Sequence, residues 1–164
     1  MLERPSRLWK QMTPDQRLAA AGAFWNEDQQ DIELQHADAI LTIARRLNFR
    51  TKSVQALPVE RRAKLLAQLG DVSDSVATRA LIAYHFTARR DLMAAFLDAL
   101  GIAHENGLIN EENVPPPDRA RLEAAVTKLR STFDRADVDL YLRTLATLDG
   151  DTWAELDAAM ASAS

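Results

Sequence analysis

The chain has 164 residues with 20 basic and 24 acidic side chains, a net charge of −4 and no cysteine. That length suits one domain with a sizeable core, while the lack of cysteine excludes thiol catalysis, iron–sulfur clusters and cysteine-ligated zinc. The negative balance argues against general nucleic-acid binding, and an apolar share of 47% with only 5 glycines and 6 prolines favours a helical, soluble protein.

Residues 1–12 lack the apolar run of a signal peptide and read as an N-terminal arm. Within it Trp9 either pins the arm to the core or stands exposed as an interface anchor. Thr13, Pro14 and Gln16 form the best helix-start signal in the chain, a capping box with proline at the first helical position. Leu18, Ala21, Phe24 and Trp25 follow on that helix, which is expected to end near Asn26. The next helix, over residues 28–47, carries Ile32, His36, Ile40, Ile43 and Leu47 at helical spacing and stops at Asn48. A short turn of helix follows Thr51. Pro58 then opens a helix with Val59, Ala63, Leu66 and Leu69 on one side, stopped at Gly70.

Ser73 caps the helix after that, and Asp74 suits its first turn. A break is expected near Phe86 and Thr87, with Thr87 capping a second helix that ends at Leu100 and Gly101; one continuous helix over 75–100 is the alternative. Residues 92–97 (LMAAFL) are the longest apolar run, far too short to span a membrane. A helix apolar nearly all round must be covered on several sides. The predicted fold is therefore all-α: a compact bundle of seven or eight helices around a central apolar helix at about 88–100.

Residues 104–117 read as a long loop with a turn at Asn106-Gly107 and an extended triple proline. Asp118 starts a helix with Leu122, Val126, Leu129 and Phe133 in register. Asp134 or Asp137 caps the next, carrying Tyr141, Leu142, Leu145 and Leu148 as far as Gly150. Thr152 and Glu155 resemble a capping box for a last short helix with Trp153, Leu156 and Met160, and residues 161–164 form a frayed tail. No segment alternates long enough for a strand, and no internal repeat aligns. A lobe after the loop holds only about 47 residues, so a single domain over 1–164 is the expectation.

No motif that carries chemistry stands out. Glu33 and His36 form the sole Glu-x-x-His, and a di-iron bundle requires a second copy with two further glutamates. His36, flanked by Ile32 and Ile40, reads as a hydrogen-bonded core histidine. His36, His85 and His104 lie on three separate segments; a small-molecule or metal-dependent enzyme of helical-bundle type needs at least two of them to converge. Tyr84, His85, Arg89 and Arg90 are a candidate anion pocket near a helix junction, against the plainer reading of aromatic core beside arginines paired with Asp91 or Asp98. There is no Gly-x-Ser-x-Gly and no phosphate-cradling glycine loop. No catalytic residue, metal ligand set or cofactor is assigned.

The charge distribution is the remaining signal. Residues 45–64 hold seven bases and one acid (Glu60), residues 27–38 five acids and no base, and residues 134–157 seven acids and two bases. The reading is a non-enzymatic, cytoplasmic protein-interaction or regulatory module. Arg45, Arg46, Arg50, Arg61 and Arg62 are the expected partner surface, with the 106–117 loop as a second candidate. The expected partner is an acidic protein or the acidic face of another copy. Nucleic-acid binding through Arg45, Lys64 and the bases between them is the lesser alternative, because the region has a single aromatic, Phe49, on which a base could stack.

Overall fold

The computed structural model describes residues 3–27, 32–110 and 114–163. The fold is all-α, with ten α-helices and one two-stranded hairpin among the described residues. Its contacts divide it into two compact units, Arg4–Ala88 and Arg89–Ser164.

In the first unit, α1 (Pro5–Gln11) lies within the N-terminal arm. A seven-residue helix has no stability of its own in water, so it persists by docking, with Leu8 and Trp9 buried against α6. Trp9 Nε1 donates to the Leu69 carbonyl at 2.8 Å, which decides between the two readings of Trp9 in favour of the pin. The start of α1 is also tied down: Asp74 accepts from the Ser6 amide at 3.0 Å and from Arg4 at 2.8 Å. Hydrogen bonds from Ser6 and then the Arg4 guanidinium hold the Asp74 carboxyl below its ordinary value of 3.8.

Helix α2 (Pro14–Asn26) begins with the predicted capping box: Thr13 Oγ1 accepts from the Gln16 amide at 3.1 Å, and Gln16 Oε1 accepts from the Thr13 amide at 3.0 Å. It packs on α5 and α6. Gly22 sits within α2 at a position where an added Cβ meets nothing within 4 Å. Gly22→Ala should therefore stabilise this unit by about 0.5–1 kcal/mol, through the backbone entropy a helical glycine loses. Urea unfolding would show it, and a loss of stability would mean that the bare backbone is needed there.

Helix α3 (Glu33–Leu47) closes as its sequence suggests, with Asn48 left-handed at φ 57°. The expected helical start at residues 28–31 lies outside the described residues. α4 (Thr51–Gln55), α5 (Val59–Gln68) and α6 (Asp74–Ala88) complete the unit. Ser73 Oγ accepts from the Val76 amide at 3.2 Å, as a cap should. Thr87, expected to cap the following helix, instead lies inside α6 and donates to the Ala83 carbonyl at 2.7 Å. The break falls two residues later, at Arg89 (φ −129°, ψ 37°). In mid-helix, the i−4 carbonyl is a nearer acceptor for a threonine hydroxyl than any amide ahead of it.

The second unit is built on α7 (Arg90–Leu100), α8 (Arg119–Thr132), α9 (Arg135–Leu148) and α10 (Leu156–Ser162). Leu92, Phe96 and Leu100 of α7 are buried with Leu122, Val126, Leu129, Val138, Leu142, Trp153 and Leu156. The Phe96 ring lies 5.9 Å from Tyr141 and 5.5 Å from Trp153. The apolar helix is thus covered by helices of its own chain, and the cluster it anchors is drawn from residues 92–160.

Three expectations for this half change. The long loop contains a hairpin, β1 (His104–Glu105) antiparallel to β2 (Leu108–Ile109). Two-residue strands are too short for alternation to register, yet the Asn106-Gly107 turn was legible, and both residues have positive φ (51° and 88°), as such a turn demands. Gly107 also lies against α7, where a Cβ would approach the Met93 Cβ to 2.8 Å, so only glycine fits. The Thr152–Glu155 capping box does not form: these residues make turns, and the Thr152 amide donates to Asp149 Oδ1 at 3.3 Å. The tail keeps helical form to Ser162; Ser164 lies outside the described residues.

Candidate functional site

The basic run falls on three successive elements of the first unit: the last turn of α3 (Arg45, Arg46), the entry to α4 (Arg50, Lys52) and the first half of α5 (Arg61, Arg62, Lys64). α3 touches both α4 and α5. The five predicted arginines fall into three situations. Arg45, Arg50 and Arg61 are exposed and form no ion pair among the described residues; Lys52 and Lys64 share that state. Arg46 is exposed but reaches Asp71 at 3.2 Å, and Asp71 also has Lys10 at 3.9 Å. Arg62 is half-buried, its guanidinium 4.8 Å from the centre of the Trp25 ring. Arg62 thus acts partly as a packing residue, which its sequence position among surface bases does not reveal.

Beside these charges, Pro58, Glu60, Arg61, Lys64, Leu65 and Gln68 line a surface depression of about 460 Å³. Phe49, immediately after α3, is 48% exposed. The lining of the depression is mixed, with Pro58 and Leu65 apolar, Arg61 and Lys64 cationic and Glu60 acidic.

Each of the three histidines is engaged by its own neighbourhood. His36 Nε2 donates to the Phe24 carbonyl at 2.7 Å, and its ring meets Phe24 at 4.7 Å and Trp25 at 5.0 Å. This is the core-histidine arrangement, while Glu33 is exposed. His85 is 4% exposed and its Nδ1 donates to the Leu81 carbonyl at 2.9 Å. His104 lies in the second unit, on the hairpin. Its Nδ1 accepts the Gly107 amide at 3.0 Å, so Nε2 carries the proton and donates to Asp98 Oδ1 at 2.6 Å. That bond clips the hairpin to α7. The sequence reading missed it because Asp98 and His104 meet only once the Gly101 turn folds the chain back. Among the described residues no three His, Asp or Glu side chains group as a metal site.

Of the candidate pocket residues, Tyr84 and His85 lie on α6 of the first unit, their rings 5.0 Å apart. Arg89 and Arg90 open the second unit. Arg89 binds Asp137 at 2.7 Å and Asp91 at 3.1 Å, and Arg90 donates to the Asn106 carbonyl at 3.2 Å. Partial burial pushes the Asp91 carboxyl up, but hydrogen bonds from Arg89 and backbone amides outweigh it and leave the pKa below 3.8. Arg89 follows the plainer expectation, pairing with Asp91 and with an acid, Asp137, that proximity in sequence does not suggest, while Arg90 reaches a backbone carbonyl. The second candidate interaction surface, the 106–117 loop, presents Leu108 and Ile109 at 39% and 38% exposure; Glu111, Glu112 and Asn113 lie outside the described residues.

No protein-family model, no curated protein and no solved structure matches this chain.

Proposed function

We propose that this chain is a protein-interaction module whose working surface is the basic face of α3, α4 and α5, and that it receives an acidic protein partner. The observation that carries the reading is the set of five exposed cations, Arg45, Arg50, Lys52, Arg61 and Lys64, within twenty residues and without ion pairs among the described residues. Unpaired charges of one sign on adjoining elements repel one another and cost stability; a partner of opposite sign relieves that repulsion and steers association. The depression that Arg61 and Lys64 share with Pro58 and Leu65 adds apolar area. With one exposed aromatic near the patch, Phe49, and a net charge of −4, an acidic protein suits it better than a nucleic acid, which rewards stacking platforms and a larger positive field.

The test is fluorescence anisotropy of the full chain with a labelled oligoglutamate peptide, with duplex DNA in parallel. Salt-dependent peptide binding is expected, weakened at least about tenfold by Arg45→Glu with Arg61→Glu. The thermal midpoint should barely move, since neither side chain is buried or ion-paired. Undiminished binding by that double variant removes the patch from the function. Binding of DNA without the peptide transfers the surface to the nucleic-acid reading.

A further inference from the structure

Helix α3 leaves an apolar stripe uncovered. It buries Ala39, Ile40, Ile43 and Ala44. On the opposite side Leu34, Ala37, Leu41 and Arg45 recur at three- and four-residue steps, and all four are exposed. Leu34 is 81% exposed and Leu41 43%, and no other large apolar side chain among the described residues is as bare as Leu34. A single exposed leucine is unremarkable on a protein surface. Two leucines, two turns apart on one line with alanine between them, have the spacing of a helix–helix seam.

The charges at the two ends of this helix identify what covers the seam. The first turn of α3 carries Glu33, and its last turn carries Arg45 and Arg46, of which Arg46 is held by Asp71. α3 therefore joins an acidic end to a basic one. Glu33, in its first turn, and Arg45, in its last, are both exposed and without ion pairs among the described residues. A surface of this kind is complementary to itself, but only when reversed. An isologous two-fold pairing requires that a patch fit its own copy. Antiparallel α3 helices crossing near Ala37 and Asp38 set Leu34 of each copy against Leu41 of the other and bring each acidic end to a basic end. Parallel pairing sets acid on acid and base on base.

We infer that the chain self-associates as a two-fold dimer through antiparallel α3 helices. The inference rests on the proposed reading of the basic face and names its partner: the acidic end of α3 in a second copy.

Sedimentation equilibrium of the full chain, at low and high salt, tests it. A concentration-dependent dimer that weakens with salt is expected. L34K alone and L41E alone should each give monomer, with unchanged circular dichroism because both side chains lie on the exposed face. L34K/L41E on one chain should restore the dimer, about tenfold tighter than either single variant, because each introduced cation then faces an introduced anion of the other copy, making two such pairs per dimer. A chain that stays monomeric at every concentration overturns the inference. So does a dimer that L34K leaves intact, or one that L34K/L41E fails to restore, since these place the contact elsewhere or run it parallel. A monomer that still binds oligoglutamate through Arg45 and Arg61 removes the dimer and keeps the basic-face reading; a monomer that binds nothing removes both.

Discussion

Replacing Trp9 with alanine should destabilise the Arg4–Ala88 unit by about 3–5 kcal/mol, the range for deleting a fully buried large aromatic. Trp9 is 0% exposed, and it works on two scales. Its ring is the largest buried side chain of α1, with Leu8 and the capping Met12 buried beside it in sequence. Its indole N–H also satisfies the Leu69 carbonyl, just past the end of α5. The two contributions separate by substitution. Trp9→Phe keeps an aromatic ring but leaves the carbonyl without that donor, and should cost about 1–3 kcal/mol. Trp9→Ala should in addition release α1, so that its amides and those of the facing part of α6 lose protection from hydrogen exchange. The Arg4 and Ser6 bonds to Asp74 cannot compensate, since they are exposed or partly exposed and contribute little alone. A loss under about 1 kcal/mol in urea unfolding of Trp9→Ala would show that α1 is an ornament on this unit.

The same helix shows where sequence reasoning reaches its limit. α1 has a proline at its first position but no side-chain N-cap and only seven residues, so its local signal is weak and its helical form comes from docking on the rest of the unit. By contrast Thr13, Ser73, Asp118 and Asp134 were legible as caps because the acceptor and the amide it serves are two or three residues apart and need nothing else. The turn at Asn106-Gly107 was legible for the same reason. The candidate site divides along this line. That bases cluster at residues 45–64 is a fact of sequence, but which of them meet solvent depends on neighbours far along the chain: Asp71 for Arg46, and Trp25 for Arg62. Likewise the spacing of Leu34, Ala37 and Leu41 is visible in the sequence, but it competes with Ile32, Ile40 and Ile43, and only the packed structure shows which stripe goes inward. The Asp98–His104 clip was hidden because it depends on a hairpin shorter than any strand pattern.

Arg130 is the second residue expected to be decisive, and for the other unit. Its side chain is 7% exposed, and it serves acceptors on two elements at once. Nε and one terminal nitrogen donate to Asp139 Oδ1 of α9 at 3.1 and 3.0 Å, while the other terminal nitrogen donates to the Met160 and Ala163 carbonyls at the end of α10, at 3.0 and 3.1 Å. One guanidinium from α8 thus binds the last two helices, and it caps carbonyls that would otherwise end unpaired. Arg130→Met leaves the two carbonyls without this donor and Asp139 with only the exposed Arg135 at 3.6 Å, so it should cost about 3 kcal/mol despite keeping most of the apolar stem. Arg130→Lys should recover little of that loss, because a point charge on a flexible stem cannot span a carboxylate and two carbonyls in fixed directions. Asp139→Asn should be milder than Arg130→Met, since it leaves the carbonyl contacts in place. The Trp153 ring, packed on Phe96 beside α10, gives a local fluorescence readout against which global unfolding can be compared. If Arg130→Lys matched the parent in denaturant, the planar fork would be irrelevant and α10 would be held by Leu156, Ala159 and Met160 alone; if Arg130→Met released α10 before the rest of the unit melted, the guanidinium would be the clasp that its four hydrogen bonds describe.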